Sequence, residues 1–236
     1  MKYKIWTFIV AAMFALCGCG ISNEDWASKD PSAIAASPNS FDIADGWKQL
    51  LIKGYSKTLF FTQTSSTCEG SFEIEQTPTQ IYDALNPQYM YENYRDFTPW
   101  YDACTNQTPP ESPRISQYNL YSNTFSNAYI AVNDLSADWN TPAVFPQAAR
   151  VGDAGVIGEF SKLDSTGSPA GSEKWSYRIE IDTATTVKFR LVMTANNADG
   201  QWLGTEENLF RVGADNTLKL ISVIKKEPSG FYIEAK

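Results

Sequence analysis

The chain has 236 residues, with 19 Lys and Arg against 27 Asp and Glu, no histidine and a formal charge of −8. This acidic balance excludes nucleic acid as a partner, because phosphate binding depends on clustered Lys and Arg. The missing imidazole excludes Ser-His-Asp and Cys-His nucleophiles, histidine general bases and the usual zinc and haem sites, so no metal or cofactor is expected.

In chain order, Lys2 and Lys4 come first, and Ile5 to Leu16 is an uncharged, mostly apolar run closed by small residues. That is the layout of an export signal, and it is shorter than the ~20 apolar residues of a membrane-spanning helix. The tetrad Leu16-Cys17-Gly18-Cys19 resembles the lipobox of bacterial lipoproteins. The resemblance implies that residues 1–18 are a lipoprotein signal peptide and that Cys19 is the acylated first residue of the mature chain. Cys17, where Ala, Ser or Val is more usual, leaves with the signal. Gly20, in place of Asp, resembles lipoproteins sorted to the outer membrane. Removing Lys2 and Lys4 leaves 17 basic against 27 acidic residues, a formal −10. An acidic body gains nothing from anionic head groups, so attachment would rest on the acyl chains, palmitate among them, two or more being needed for a stable anchor.

Residues 19–40 are small and polar, with two prolines and no apolar periodicity, and read as a flexible tether with a reach of about 25 Å. Trp26 is expected to be a solitary exposed aromatic. Residues 41–236 are long enough for one sizeable core, and a single domain is expected.

Asp42 to Gly54 reads as a short helix: Asp45 is placed to cap it, Trp47, Leu50 and Leu51 share a face, and Gly54 closes the C-terminus. Tyr55 to Thr64 and Gly70 to Thr77 read as strands about a Ser-Ser-Thr-Cys-Glu turn, with Phe72 and Ile74 alternating against Glu73 and Glu75. With Cys17 removed and Cys19 acylated, Cys68 and Cys104 remain, and an even pair in an exported protein forms a disulfide. Closing that loop would stabilise the fold by about 4 kcal/mol. A two-thiol metal site would need further soft ligands.

The stretch 41–150 is irregular and rich in aromatics, with two or three strands expected near 91–103, 115–122 and 127–133. Residues 151–236 carry a clearer pattern. Six β segments are expected near 156–163, 173–182, 186–195, 202–212, 217–225 and 230–235. Turn-rich connections separate them, and most are short enough for hairpins, so neighbours pair antiparallel. Trp175, Tyr177, Ile179 and Ile181 alternate with Ser176, Arg178, Glu180 and Asp182, leaving one face buried and one wet. Alternation breaks where Trp202 and Leu203 are adjacent, and a bulge is expected there. The fold class is therefore all-β, mainly antiparallel: a six-stranded C-terminal meander curling into a partly open barrel or sandwich, with one short N-terminal helix.

With the lipobox, the strings Gly-Tyr-Ser-Lys-Thr-Leu-Phe-Phe (54–61), Cys-Glu-Gly (68–70), Val-Gly-Asp-Ala-Gly-Val-Ile-Gly (151–158) and Asp-Thr-Ala-Thr-Thr-Val (182–187) resemble uncharacterised β-rich lipoproteins of Gram-negative bacteria. The resemblance implies an exported β body and no assigned activity.

The candidate ligand-binding stretch is Tyr82 to Tyr101. If it is extended, Tyr89, Tyr91, Phe97 and Tyr101 fall on one face, and Tyr94 and Trp100 on the other. Such rings suit sugar stacking or a protein interface, and equally a core. Asn197-Ala-Asp-Gly200 with Glu206 loosely matches a calcium loop but lacks the first ligand and the flanking helices, so a hairpin is expected. Ser222-Val-Ile-Lys225 matches the S-x-x-K string of penicillin-recognising enzymes, yet strand geometry puts the two on opposite faces. Glu73 and Glu75 share a face and are a candidate pair for glycoside hydrolysis, a solvated edge being the commoner reason for such spacing. The expected function is that of a lipid-anchored outer-membrane protein with a non-catalytic structural or binding role. An envelope protein, a glycan or an apolar ligand is the candidate partner; the alternative is a glycan- or apolar-ligand-binding module using the aromatic stretch 82–101, with a carboxylate-based hydrolase ranked below it.

Overall fold

The computed structural model describes residues 40–62, 69–78, 80–81, 89–102, 114–121, 127–132, 135–138, 143–230 and 232–236. The expected signal peptide, Cys19, the tether, Cys68 and Cys104 lie outside the described residues.

Among the described residues one helix, α1 (Ile43–Lys53), precedes the strands. Its cap is Asp42, whose carboxylate accepts the Asp45 backbone N–H at 2.8 Å. Asp45, expected as the cap, instead lies in the first turn, where its charge still complements the helix dipole. Gly54, at φ 67°, ends the helix in a backbone conformation that side-chain-bearing residues rarely adopt, with its N–H bonded to Leu50. Ile43, Leu50 and Leu51 are buried.

The strands are β1 (Tyr55–Thr62), β2 (Glu69–Gln76), β3 (Gln80–Ile81), β4 (Tyr89–Asp102), β5 (Arg114–Tyr121), β6 (Asn127–Val132), β7 (Leu135–Asp138), β8 (Ala154–Leu163), β9 (Pro169–Ile181), β10 (Val187–Asn197), β11 (Trp202–Val212), β12 (Leu218–Lys226) and β13 (Tyr232–Ala235). The six expected C-terminal strands are present as β8 to β13, and the middle of the chain holds two short strands, β3 and β7, beyond those expected. With two and four residues respectively, they are too short for alternation to be read.

All thirteen strands belong to one antiparallel sheet in the order β2-β1-β13-β12-β11-β10-β9-β8-β7-β6-β5-β4-β3. The irregular and regular parts of the chain therefore share one architecture, joined through β7 and β8 at Ser136 to Asp138. The sheet is open in this order but curls back on itself, because β2 also pairs with β4 over eight residues, from Glu69–Asp102 to Gln76–Arg95. The join between β1 and β13 is short. It consists of one register pair, Phe61 with Ala235, and two Phe60–Lys236 backbone hydrogen bonds of 2.9 Å. Pro99 of β4 lies past the end of the β5 ladder, which stops at Phe97, so its missing N–H costs no bond on that side.

Helix α1 and the segment 143–150 close one end of the curl. Phe41 and Ala149 exchange two backbone hydrogen bonds, and Ala44 donates to the Pro146 carbonyl. The Asp42 N–H donates to Asn216 Oδ1 at 3.0 Å in the turn between β11 and β12. At Gly46 a Cβ would stand 2.2 Å from the Asn216 carbonyl oxygen, so only glycine lets the helix lie this close to the turn. Behind the helix, Trp47 stacks on Phe145 with centroids 4.8 Å apart and meets Phe210 edge-on at 6.0 Å. Phe189 packs on Phe145, Phe210 and Tyr177. Burying one such ring contributes about 1.5–3 kcal/mol.

Candidate functional site

The interior of the curled sheet has two chemically distinct zones. Register aligns inward rows across β9, β10, β11 and β12. Nearest the helix are Ile181–Val187–Val212–Leu218, then Ile179–Phe189–Phe210–Leu220, then Tyr177–Leu191–Asn208–Val223. Farther from the helix, the next row is Trp175–Met193–Glu206–Lys225, and beyond it Glu173–Ala195–Gly204. The inner surface thus passes from wholly apolar to charged along the strands.

The charged zone consists of paired groups. Lys162 Nζ lies 2.6 Å from Glu173, which also accepts the Trp175 indole N–H at 2.8 Å. Lys225 Nζ lies 3.3 Å from Glu206, which also accepts the Asn208 side-chain amide at 3.0 Å. Asn208 is buried, and this bond gives its amide a partner that burial otherwise makes costly to lack. Each inward carboxylate is therefore held by an ammonium and a second donor. Ala195 and Gly204, small residues, stand between the two pairs. The arrangement presents fixed donors and acceptors to a polar ligand.

A second network covers the outer face. Arg190 donates to Glu180 from Nε at 2.5 Å and from Nη2 at 3.1 Å, and to Glu207 from Nη1 at 2.8 Å. Lys226 reaches the other Glu207 oxygen at 2.6 Å. Burial alone raises the Glu207 pKa, but the bonds from Lys226 and then Arg190 outweigh it and hold the carboxyl below its ordinary value. At Asp182 burial is likewise outweighed, here by hydrogen bonds from Arg211 and Thr186, so its carboxyl is also held low. Glu206 and Glu207, adjacent in sequence, serve opposite faces of the sheet, as strand geometry requires.

The candidate residues from the sequence fall as follows. Tyr89, Tyr91, Tyr94, Phe97, Trp100 and Tyr101 all lie on β4. Backbone register places positions Tyr91, Phe97 and Tyr101 on the sheet face shared by Gly70 and Ile74, and positions Tyr94 and Trp100 on the other. A bulge between Tyr89 and Tyr91 moves Tyr89 out of the expected set and into register with Tyr121. One inserted residue reverses the facing of everything beyond it. Glu73 and Glu75 are both solvent-exposed on one face of β2. Asn197 to Gln201 form a hairpin turn in which Asn197 Oδ1 accepts the Asp199 and Gln201 N–H groups at 3.0 and 2.8 Å. Ser222 pairs in register with Leu209 and Lys225 with Glu206, putting the two on opposite faces. Cys68 immediately precedes the register pair Glu69–Asp102, and Cys104 follows it by two residues.

Sequence reasoning did not single out the inward pairs Lys162–Glu173 and Glu206–Lys225. Lys, Glu and Trp in alternating strands look like a wet face, and the facing depends on bulges at Ile157 and Ile221 that no local composition marks. No protein family, curated protein or solved structure matches this chain.

Proposed function

We propose that this chain is a lipid-anchored cell-envelope protein of the outer membrane, whose β body has a structural or binding role and not a catalytic one. The Leu16-Cys17-Gly18-Cys19 string supports the anchor. The observation that carries the binding half is the polarity of the body. On the side of the chain toward Cys19, Phe41 forms an isolated bridge with Ala149 at the end closed by α1. Strand β11 runs from Val212, near that end, to Trp202, ten positions away and roughly 33 Å along the strand. The charged inner zone and the turns at Asp164 to Ser168, Asn197 to Gln201 and Glu227 to Gly230 thus stand at the end away from the tether. A tethered body of this kind offers its far end to a partner while its near end is closed by packing. The paired carboxylates favour binding over hydrolysis.

The experiment is Cys19→Ala in the full chain, with radiolabelled palmitate and membrane fractionation. Loss of the label and release from membranes is expected. A variant that still pellets with membranes, with no label in the wild type either, would overturn the anchor.

A further inference from the structure

We propose that the outer face of β11, β12 and β13 carries a binding strip for an uncharged glycan chain, with Trp202 and Tyr232 as stacking platforms. The strip owes its existence to a bulge. Ala195 pairs with Gly204 but Asn196 pairs with Trp202, so Leu203 is the extra residue. In a regular strand positions 202 and 205 would face opposite ways; the inserted residue turns Trp202 onto the face of Thr205. The indole N–H donates to Thr205 Oγ1 at 3.1 Å, which fixes the ring while leaving Trp202 42% exposed.

Thr205, Lys226 and Tyr232 are aligned in register across three strands, and Tyr232 is 38% exposed. From Trp202 to Tyr232 the backbone separation is roughly 10 Å along β11 and roughly 10 Å across two strand spacings, which spans a few pyranose rings. Between the two platforms stand the Thr205 hydroxyl and the Lys226 ammonium, the latter held by the Glu207 carboxylate at 2.6 Å. Flat apolar rings flanking fixed donors and acceptors match a sugar, which presents C–H faces and hydroxyl edges. The indole, already held by Thr205, loses little freedom on binding. The charges favour a neutral chain: Lys226 is matched by Glu207, and an acidic body repels polyanions.

This inference deepens the binding half of the proposed function, and its failure leaves the acylation of Cys19 untouched. The test uses the full chain in a detergent without sugar head groups, titrated calorimetrically with cellohexaose and chitohexaose. The wild type is expected to bind at least one of them, with Trp202→Ala and Tyr232→Ala each weakening binding about tenfold, a loss of about 1.4 kcal/mol. Thr205→Val, which frees the indole and keeps both rings, is expected to lose less. Circular dichroism and the thermal midpoint establish that the variants fold. Absence of binding by the wild type up to the solubility limit of both sugars overturns the proposal. So does binding that survives both ring substitutions. A concentration-dependent dimer abolished by Trp202→Ala would show that a second copy, not a glycan, covers the strip.

Discussion

Replacing Arg190 with Met keeps the aliphatic stem and removes the charge at the centre of the outer network. The guanidinium makes two hydrogen bonds to Glu180 and one to Glu207, with side-chain exposures of 19% for Arg190, 28% for Glu180 and 12% for Glu207. Hydrogen bonds to charged groups are worth about 1.5–3 kcal/mol when fully buried, and exposed ion pairs about 0.2–1 kcal/mol. These groups are intermediate and partly screened by solvent, so about 0.7 kcal/mol per bond is a fair value, and Arg190→Met should lower stability by about 2 kcal/mol near neutral pH. The pH dependence has a definite sign. Burial raises the Glu207 pKa, but Lys226 and Arg190 together bring the folded value below the ordinary 4.5. The network's contribution is therefore complete above that value and is lost as pH falls through the folded one. In Arg190→Met the depression is smaller, because Lys226 alone remains, so the gap between wild type and variant narrows under acid. Urea unfolding at neutral pH, at acid pH and in about 1 M salt, where screening acts within about 3 Å, measures all three. A loss under 0.5 kcal/mol, or a gap indifferent to pH, would refute the reasoning.

Two further outcomes follow from the packing and the register. Gly46→Ala should destabilise the protein by about 2–3 kcal/mol although alanine favours helices by about 1 kcal/mol, because its Cβ would stand 2.2 Å from the Asn216 carbonyl; a rise in the thermal midpoint would mean that α1 does not lie on the β11–β12 turn. Mass mapping of oxidised protein should find Cys68 joined to Cys104, whose nearest described neighbours, Glu69 and Asp102, are register partners, and reduction should cost about 4 kcal/mol; two free thiols in material from the oxidising compartment would exclude the bridge.

Much of the fold is legible along the chain. Residues 187–195 alternate apolar and polar, and β10 buries Val187, Phe189, Leu191 and Met193 in that rhythm. The C-terminal turns are marked by Gly, Asn and Asp, and the strands between them lie within a few residues of their expected limits. The adjacent Trp202 and Leu203 announce the bulge that register then places there. These signals are local: alternation, capping and turn chemistry act over a few residues, so the order of amino acids carries them.

The candidate sites are less legible, because they depend on which face a residue takes and which strand lies beside it. Lys162 and Glu173 sit eleven positions apart on β8 and β9, and a bulge on β8 is what turns Lys162 inward beside Glu173. Asp42 displaces Asp45 as the cap because Asn216, from a turn far along the chain, fixes the Asp42 backbone. The pairing of β1 with β13 likewise has no local marker, since Phe61 and its register partner Ala235 are 174 positions apart in the chain. The sequence by itself determined the β class, the helix at 43–53 and the acidic, histidine-free chemistry, all of them properties of composition and short-range pattern. The tertiary structure alone decided which end is closed, which charges face inward and where Trp202 is aimed. A one-residue bulge reverses every side chain beyond it, and long-range pairing chooses the neighbours each side chain meets.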